Sequence, residues 1–181
     1  PPRSTLFPYT TLFRSRDGKV TVATSPIGYD IQKELENNIL LFFTGIKRES
    51  YDILKEQSAA TVRDEKAVVE SLHAIKELGH RIKETIASGN LAEFGRLLDV
   101  HWQTKKKLSG KISRPEIDRW YGIAKSHGAL GGKIMGAGGG GFFMFYCEAD
   151  KRPLRRAMAQ EGLRELHFKF DDEGSKVLVN F

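Results

Sequence analysis

The chain has 181 residues, 40% of them hydrophobic and 29% charged, with a formal net charge of +6. That length holds one ordinary domain, or a domain with an appendage, and the balance is that of a soluble globular protein. No apolar run approaches the roughly 20 residues that cross a bilayer.

A single cysteine, Cys147, sits inside an apolar run. It excludes an intrachain disulfide and points to a reducing, cytoplasmic setting. The five histidines show no metal spacing with each other or with Cys147, so no metal site is expected. The surplus positive charge favours anionic partners and leaves open nucleic acid, phosphorylated metabolites or nothing specific. Lys105-Lys106-Lys107 is the densest basic cluster, but three adjacent helical residues point in different directions and make no single stripe.

Residues 1–15 repeat Thr-Leu-Phe (Thr5 to Phe7, Thr11 to Phe13) and lack the features of a signal peptide. They resemble translated adapter sequence ahead of a shortened reading frame. The expectation is a non-native or disordered leader, with 16–181 forming the domain and a short preceding segment. Lys19 to Thr24 alternates Val20 and Val22 with polar or small residues and reads as a strand closed by Ser25-Pro26. A brief helix around Tyr29 to Glu36 leads to Ile39-Leu-Leu-Phe-Phe43, an apolar run that suits a strand covered on both faces.

The middle is helical. Thr61 or Asp64 is placed to cap a long helix with the stripe Val68, Leu72, Ile75, Ile82 and Ile86. Ser88-Gly89 stops it, and Asn90 with Glu93 resembles a capping box opening the next helix. That helix carries Leu91, Phe94, Leu98, His101, Lys105 and Leu108 at helical spacing, so His101 and Lys105 fall on a face that should be buried. The default is a core-edge histidine and a lysine whose stem lies along apolar surface. The sharper reading is a pair of cations facing an anionic ligand. Ser113-Arg-Pro115-Glu116 combines a capping box with proline at the start of a helix that buries Ile117, Trp120, Tyr121 and Ala124 and ends at Gly128.

Gly131-Gly-Lys-Ile-Met-Gly136-Ala-Gly138-Gly-Gly-Gly141 follows, running straight into Phe142 to Cys147. Such a stretch permits positive φ and close backbone approach, and its successive N–H groups can form an anion-binding nest. Gly136, Gly138 and Gly141 satisfy G-x-G-x-x-G, but the dinucleotide fingerprint needs a strand before and a helix after. A strand is expected after. Lys133 precedes the loop and Phe142 follows it, so a Walker A loop is excluded as well. Asp150 then caps a short helix ending at Gly162, and Leu166, Phe168 and Phe170 alternate as a strand. A turn at Asp171 to Gly174 returns to Val177 and Val179. The fold class is α+β, a ferredoxin-like antiparallel sheet backed by helices.

The glycine stretch, Gly131-Gly132-Lys133 through Gly136-Ala137-Gly138-Gly139-Gly140-Gly141-Phe142, resembles the third, C-terminal glycine motif of the GHMP-superfamily small-molecule kinases. Trp102-x-x-Lys105, Ile112-Ser113 with Ile117-Asp118 and Tyr121, and Thr44-Gly45 with Arg48 are similar to the heptose 7-phosphate kinase subgroup. The resemblance covers Arg16 to Phe181. It implies phosphoryl transfer from ATP with Mg2+ to the anomeric hydroxyl of a heptose 7-phosphate. By the same resemblance, Lys133 and Gly136, Ala137, Gly138, Gly139, Gly140 and Gly141 bind ATP and substrate, while Arg48 and Lys105 serve the substrate phosphate. The family's N-terminal domain, with its serine-bearing phosphate loop and acid/base residues, has no counterpart here. No catalytic residue is therefore assigned, and the chain alone is expected to be inactive. The competing readings are a basic RNA- or polyanion-binding module, which needs aromatics on an open sheet face, and a regulatory metabolite-binding domain.

Overall fold

The computed structural model describes residues 11–24, 27–47, 50–63 and 65–170. Two short strands, β1 (Thr11–Arg16) and β2 (Lys19–Thr24), pair as an antiparallel hairpin that stands apart from the main sheet. The turn places Asp17 and Gly18 at positive φ, the backbone sign required by tight two-residue hairpins. Residues 11–15, left outside the fold by the sequence reading, are thus paired strand.

Helix α1 (Tyr29–Asn38) passes without a break into β3 (Ile39–Phe43). Three helices absent from any ferredoxin-like core follow β3, namely α2 (Ser50–Val62), α3 (Lys66–Ser88) and α4 (Leu91–Lys106), before α5 (Pro115–Ser126). Strands β4 (Gly131–Ile134) and β5 (Phe142–Tyr146), helix α6 (Lys151–Gln160) and strand β6 (Arg164–Leu166) close the domain. The sheet runs β4-β5-β3-β6 with every pair antiparallel. That is the ferredoxin-like strand order, with a helical insertion between its first two strands.

Register explains why the strands read as continuous apolar runs. Residues directly opposite each other share a face. Leu40 lies opposite Phe145 and Phe42 opposite Phe143. They face one cluster with Ile117, Tyr121 and Ala124 of α5 and Leu154 and Met158 of α6. Ile39 lies opposite Tyr146, and these face the second cluster with Leu35 of α1 and Leu91, Phe94 and Leu98 of α4. Each large side chain so buried contributes roughly 1.5–3 kcal/mol. Phe143 and Phe145 stack with centroids 4.4 Å apart. With both faces covered, there is no polar side to alternate with.

Several local expectations change. Thr61 lies within α2, and α3 begins after Glu65. Asn90 does accept from the Glu93 N–H, at 3.3 Å. Ser113 is not a cap: Arg114 occupies that position, Pro115 opens α5, and the Ser113 hydroxyl donates to the Asp118 carboxylate at 2.9 Å. Asp150 caps α6 as expected, accepting from the Arg152 N–H. The last strand stops at Leu166, whose side chain is exposed, and among the described residues it pairs with β3 alone. The turn at 171–174 and the strand at Val177 and Val179 lie outside the described residues.

Helix α4 runs against β4 through two glycines. A Cβ on Gly131 would sit 2.1 Å from the Gly95 carbonyl oxygen, and one on Gly95 would sit 2.5 Å from the Tyr146 ring. This close approach is held by Asp99, which accepts from the Tyr121 hydroxyl at 2.5 Å and from Lys125 Nζ at 3.1 Å. Lys125 also donates to the Leu130 carbonyl at 2.7 Å. Burial pushes the Asp99 carboxyl up, but the hydrogen bonds from Tyr121, Lys125 and Gln103 outweigh it and hold it below its ordinary range. α4, α5 and the start of β4 are thereby locked together.

Candidate functional site

The glycine loop joins two strands rather than a helix and a strand, because Gly131–Ile134 itself pairs with β5. Met135 N–H still donates to Phe142 O at 2.8 Å, so residues 136–141 form the tip of a β-hairpin. No helix follows, so the exclusion of the dinucleotide fingerprint stands, for that half of the reason only.

The tip is pinned at two points. Gly139 N–H donates to Ile112 O at 2.7 Å, and Gly141 N–H to Ile46 O at 3.1 Å. Thr44 clasps the far end, its N–H and its hydroxyl both donating to Gly141 O at 2.9 and 2.8 Å. Two of the loop's N–H groups are therefore committed to the protein and are not part of an anion nest. Gly136, Ala137 and Gly140 line an open cleft of about 290 Å³ with Phe43, Ile46, Lys47, Met135 and Gly141. Their N–H groups form no hydrogen bond with another described residue. Fixed, unpaired N–H groups beside a lysine are what a phosphoryl oxygen needs.

Ile112 owes its position to a strut from α2. Ser109 donates its hydroxyl to Glu56 at 2.8 Å, Lys111 pairs with the same carboxylate at 2.9 Å, and Ile112 N–H donates to Ser109 O. Hydrogen bonds from Lys111 and then Ser109 hold the Glu56 carboxyl below its ordinary value. Removing it with Glu56→Ala is expected to cost little global stability, as the pair is exposed. It should nonetheless accelerate hydrogen exchange at the Gly139 amide, which measures local opening of the loop.

On the α4 side of the hairpin, Lys105 donates its ammonium to Gly136 O. Lys133 shares its sheet face with Met144 and is half-buried; burial lowers its pKa, and it meets no carboxylate among the described residues. His101 lies beside both lysines. Its Nδ1 is buried without a partner among the described residues. Burial first, then Lys133, then Lys105 hold the imidazole down to about 4. Two of the expected site residues, Lys105 and Lys133, are thus brought together at the loop with His101. Arg48 lies outside the described residues.

The sign of the His101 effect is fixed. Its folded pKa is below the ordinary 6.5, so between those values the unfolded chain binds the extra proton and stability falls as pH is lowered from about 7 towards 4. Urea denaturation across this range should lose on the order of 1–2 kcal/mol through this group after allowance for its partial exposure. His101→Gln should remove that share of the slope.

At the cleft wall the sheet carries an apolar ledge. Phe43 and Phe142 pack at 5.2 Å, with Phe142 38% and Met135 43% exposed. The residues missed from sequence are Thr44, Ile46, Lys47 and the Ile112 carbonyl as loop anchors and lining. Only Thr44-Gly45 left a signal, as a polar-glycine stop after an apolar strand. Carbonyls carry none.

Among the described residues no group of three or more histidine, cysteine or carboxylate side chains is placed to hold a metal ion. The loop fits a phosphate, but these residues do not fit a Mg2+ site of their own. No helix among the described residues is long and apolar enough to cross a membrane.

A ferredoxin-like sheet presenting a pinned glycine hairpin to a cleft beside Lys47 defines an α+β domain. The GHMP kinases C-terminal family profile matches residues 71–164, and the chain belongs to the GHMP kinase family. It is 36% identical over 147 residues to a D-glycero-alpha-D-manno-heptose 7-phosphate kinase of Campylobacter jejuni, covering 81% of this chain and 43% of that protein. Its fold matches a D-glycero-D-manno-heptose 1-phosphate kinase of Bacteroides thetaiotaomicron with TM-score 0.60 at 24% identity, over 91% of this chain and 44% of the other. It also matches the mevalonate kinase of L. major with TM-score 0.70 at 15% identity, over 83% and 44%. The chain spans less than half the length of each of these relatives.

Proposed function

We propose that the chain is the C-terminal part of an ATP-dependent sugar-phosphate kinase that phosphorylates the anomeric hydroxyl of D-glycero-D-manno-heptose 7-phosphate. The observation that carries this reading is the hairpin tip, where Gly136, Ala137 and Gly140, whose N–H groups bond no other described residue, line an open cleft with Lys47. Phosphoryl transfer depends mainly on positioning and on stabilising charge on the equatorial oxygens. In this reading Lys133 and residues Gly136 to Gly141 bind ATP and substrate phosphoryl groups, and Lys105 and Arg48 serve the sugar's own phosphate. Mg2+ is carried by the nucleotide and held by residues outside this chain, as are the acid/base groups. The 36% identity to a heptose 7-phosphate kinase supports the choice of acceptor.

Burial of Phe143, Phe145 and Tyr146 weighs against an RNA-binding sheet face, because bases need exposed rings to stack on.

With Mg-ATP and heptose 7-phosphate, the 181-residue chain is expected to release no ADP above background. Fused behind the N-terminal half of the Campylobacter jejuni relative, it is expected to produce a second, anomeric phosphate visible by phosphorus NMR. Turnover by the chain alone would refute its inactivity. A fusion that phosphorylates fucose or galactose but not heptose 7-phosphate would refute the acceptor.

A further inference from the structure

The sheet register explains why the rim of the loop cleft is apolar. Phe43 lies opposite Phe142. Ile134 lies opposite Phe143, and the Met135 N–H still donates to Phe142 O, so Met135 falls opposite Phe142 on its other side. Residues directly opposite share a face. Phe43, Phe142 and Met135 are therefore one row across the ends of β3, β5 and β4, about 10 Å wide at the usual strand spacing. Four residues along β5 on the same face, Tyr146 is fully buried among side chains of α1 and α4. At the loop end the covering stops, and Phe142 is 38% and Met135 43% exposed.

A cross-strand aromatic pair stabilises a sheet, which accounts for Phe43 against Phe142 but not for the methionine that extends the row to the glycines. Phe43 and Met135 also line the cleft itself, with Gly136, Ala137, Gly140 and Lys47. One cleft thus combines backbone N–H donors and a lysine with a row of apolar side chains. Small-molecule sites are built this way, mostly apolar with a few placed polar groups.

We infer that Phe43, Phe142 and Met135 are the platform for the C–H face of the acceptor's sugar ring, and that Phe142 selects a cyclic sugar phosphate over an open-chain phosphate. The C–H groups of a pyranose carry slight positive charge and lie well on the negative face of an aromatic ring. The choice of the sugar over adenine rests on the kinase reading. Only the acceptor has its ring next to the phosphoryl group being transferred, whereas adenine is separated from it by a ribose and two phosphates.

The test compares heptose 7-phosphate with glycerol 3-phosphate on the 181-residue chain, two phosphomonoesters of which only the first has a ring. Saturation transfer from the aromatic protons of the protein shows which ligand protons lie against them. The expected result is transfer to the sugar's ring protons and tighter binding of heptose 7-phosphate. Phe142→Leu keeps an apolar side chain without a ring and should weaken heptose 7-phosphate about three- to tenfold relative to glycerol 3-phosphate. Phe142→Tyr keeps the ring and should restore the preference. Val62→Ala, at an exposed apolar position of α2, should leave it as it is.

A wild-type chain that binds the two esters alike, or binds neither, overturns the platform, and that comparison needs no variant to fold. Saturation that reaches the adenine of ADP and not the sugar also overturns it. So do Phe142 resonances that move with protein concentration and not with ligand, which mark a face between two copies of the chain. Equal losses in Phe142→Leu and Phe142→Tyr are general damage at that position and count against it as well. In the fusion with the Campylobacter jejuni N-terminal half, Phe142→Leu should raise the KM for heptose 7-phosphate with little change in that for ATP. A fusion that transfers phosphate with both KM values unmoved overturns the platform and leaves the kinase reading. A ring preference in a chain whose fusion transfers none leaves the platform and removes the kinase reading.

Discussion

Gly131→Ala is expected to destabilise the domain by about 3 kcal/mol or more, although it adds one methyl group at an ordinary backbone conformation. The new Cβ would lie 2.1 Å from the Gly95 carbonyl oxygen and 2.7 Å from the Asp99 N–H nitrogen. Both are backbone atoms of α4, so no rotamer change relieves the clash and the helix must move off the strand. Moving it separates Asp99 from Tyr121 and Lys125 and draws Phe94 away from the edge of the Tyr146 ring. The damage is therefore larger than typical overpacking. Gly79→Ala is the contrast. Gly79 is an exposed position inside α3 with nothing within 4 Å of an added Cβ, and there the same change should stabilise by about 0.5–1 kcal/mol. Urea midpoints measured at constant slope separate the two outcomes. Equal effects at the two positions would show that the α4–β4 contact is looser than described.

Gly138→Ala is expected to cost about 2–3 kcal/mol and, more diagnostically, to weaken phosphate binding at the loop by about tenfold or more, read by titration with inorganic phosphate followed at the amide resonances of Gly136, Ala137 and Gly140. Gly138 has φ +115, and its added Cβ would fall 2.9 Å from both the Ile112 oxygen and Cγ2 and 3.1 Å from the Ile112 Cα. Strain and collision act together, and the relief available is to lift the tip away from Ile112. That breaks the Gly139 N–H bond to Ile112 O and turns the neighbouring N–H groups out of the cleft. Gly136→Ala shares the positive φ (+76) but meets nothing within 4 Å, so its cost should be nearer the ~1 kcal/mol of left-handed backbone alone. An equal effect of the two variants on binding would mean that the Ile112 anchor does not shape the loop.

Which parts were legible follows from how local their causes are. Asn90, Pro115 and Asp150 mark helix starts because caps and proline act within one turn. The apolar runs Ile39 to Phe43 and Phe142 to Tyr146 announced strands buried on both faces. The lysines at 105 and 133 were picked out, one by falling on an apolar helix face and the other by preceding the glycines. Strand β4 was hidden because Gly-Gly-Lys-Ile has little strand propensity; it pairs because Gly132 accommodates the Phe145 ring, 2.4 Å from where a Cβ would stand. Ser113 read as a cap and instead bonds Asp118, since proline at the next position but one already sets the helix start.

The sequence by itself determined that this chain carries a phosphate-compatible glycine loop on an α+β domain, because glycine permissiveness and apolar periodicity are properties of contiguous residues; the GHMP kinase family came from the resemblance of the glycine motif. Only the tertiary structure decided which loop N–H groups remain available. Ile46, Ile112 and Thr44 bind the hairpin from segments 27 to 97 residues away in the chain, the first two through backbone carbonyls that any residue would present and Thr44 through its N–H and hydroxyl. It also decided that His101 joins Lys105 and Lys133, a meeting that depends on two glycines, 36 positions apart, letting a helix lie against a strand.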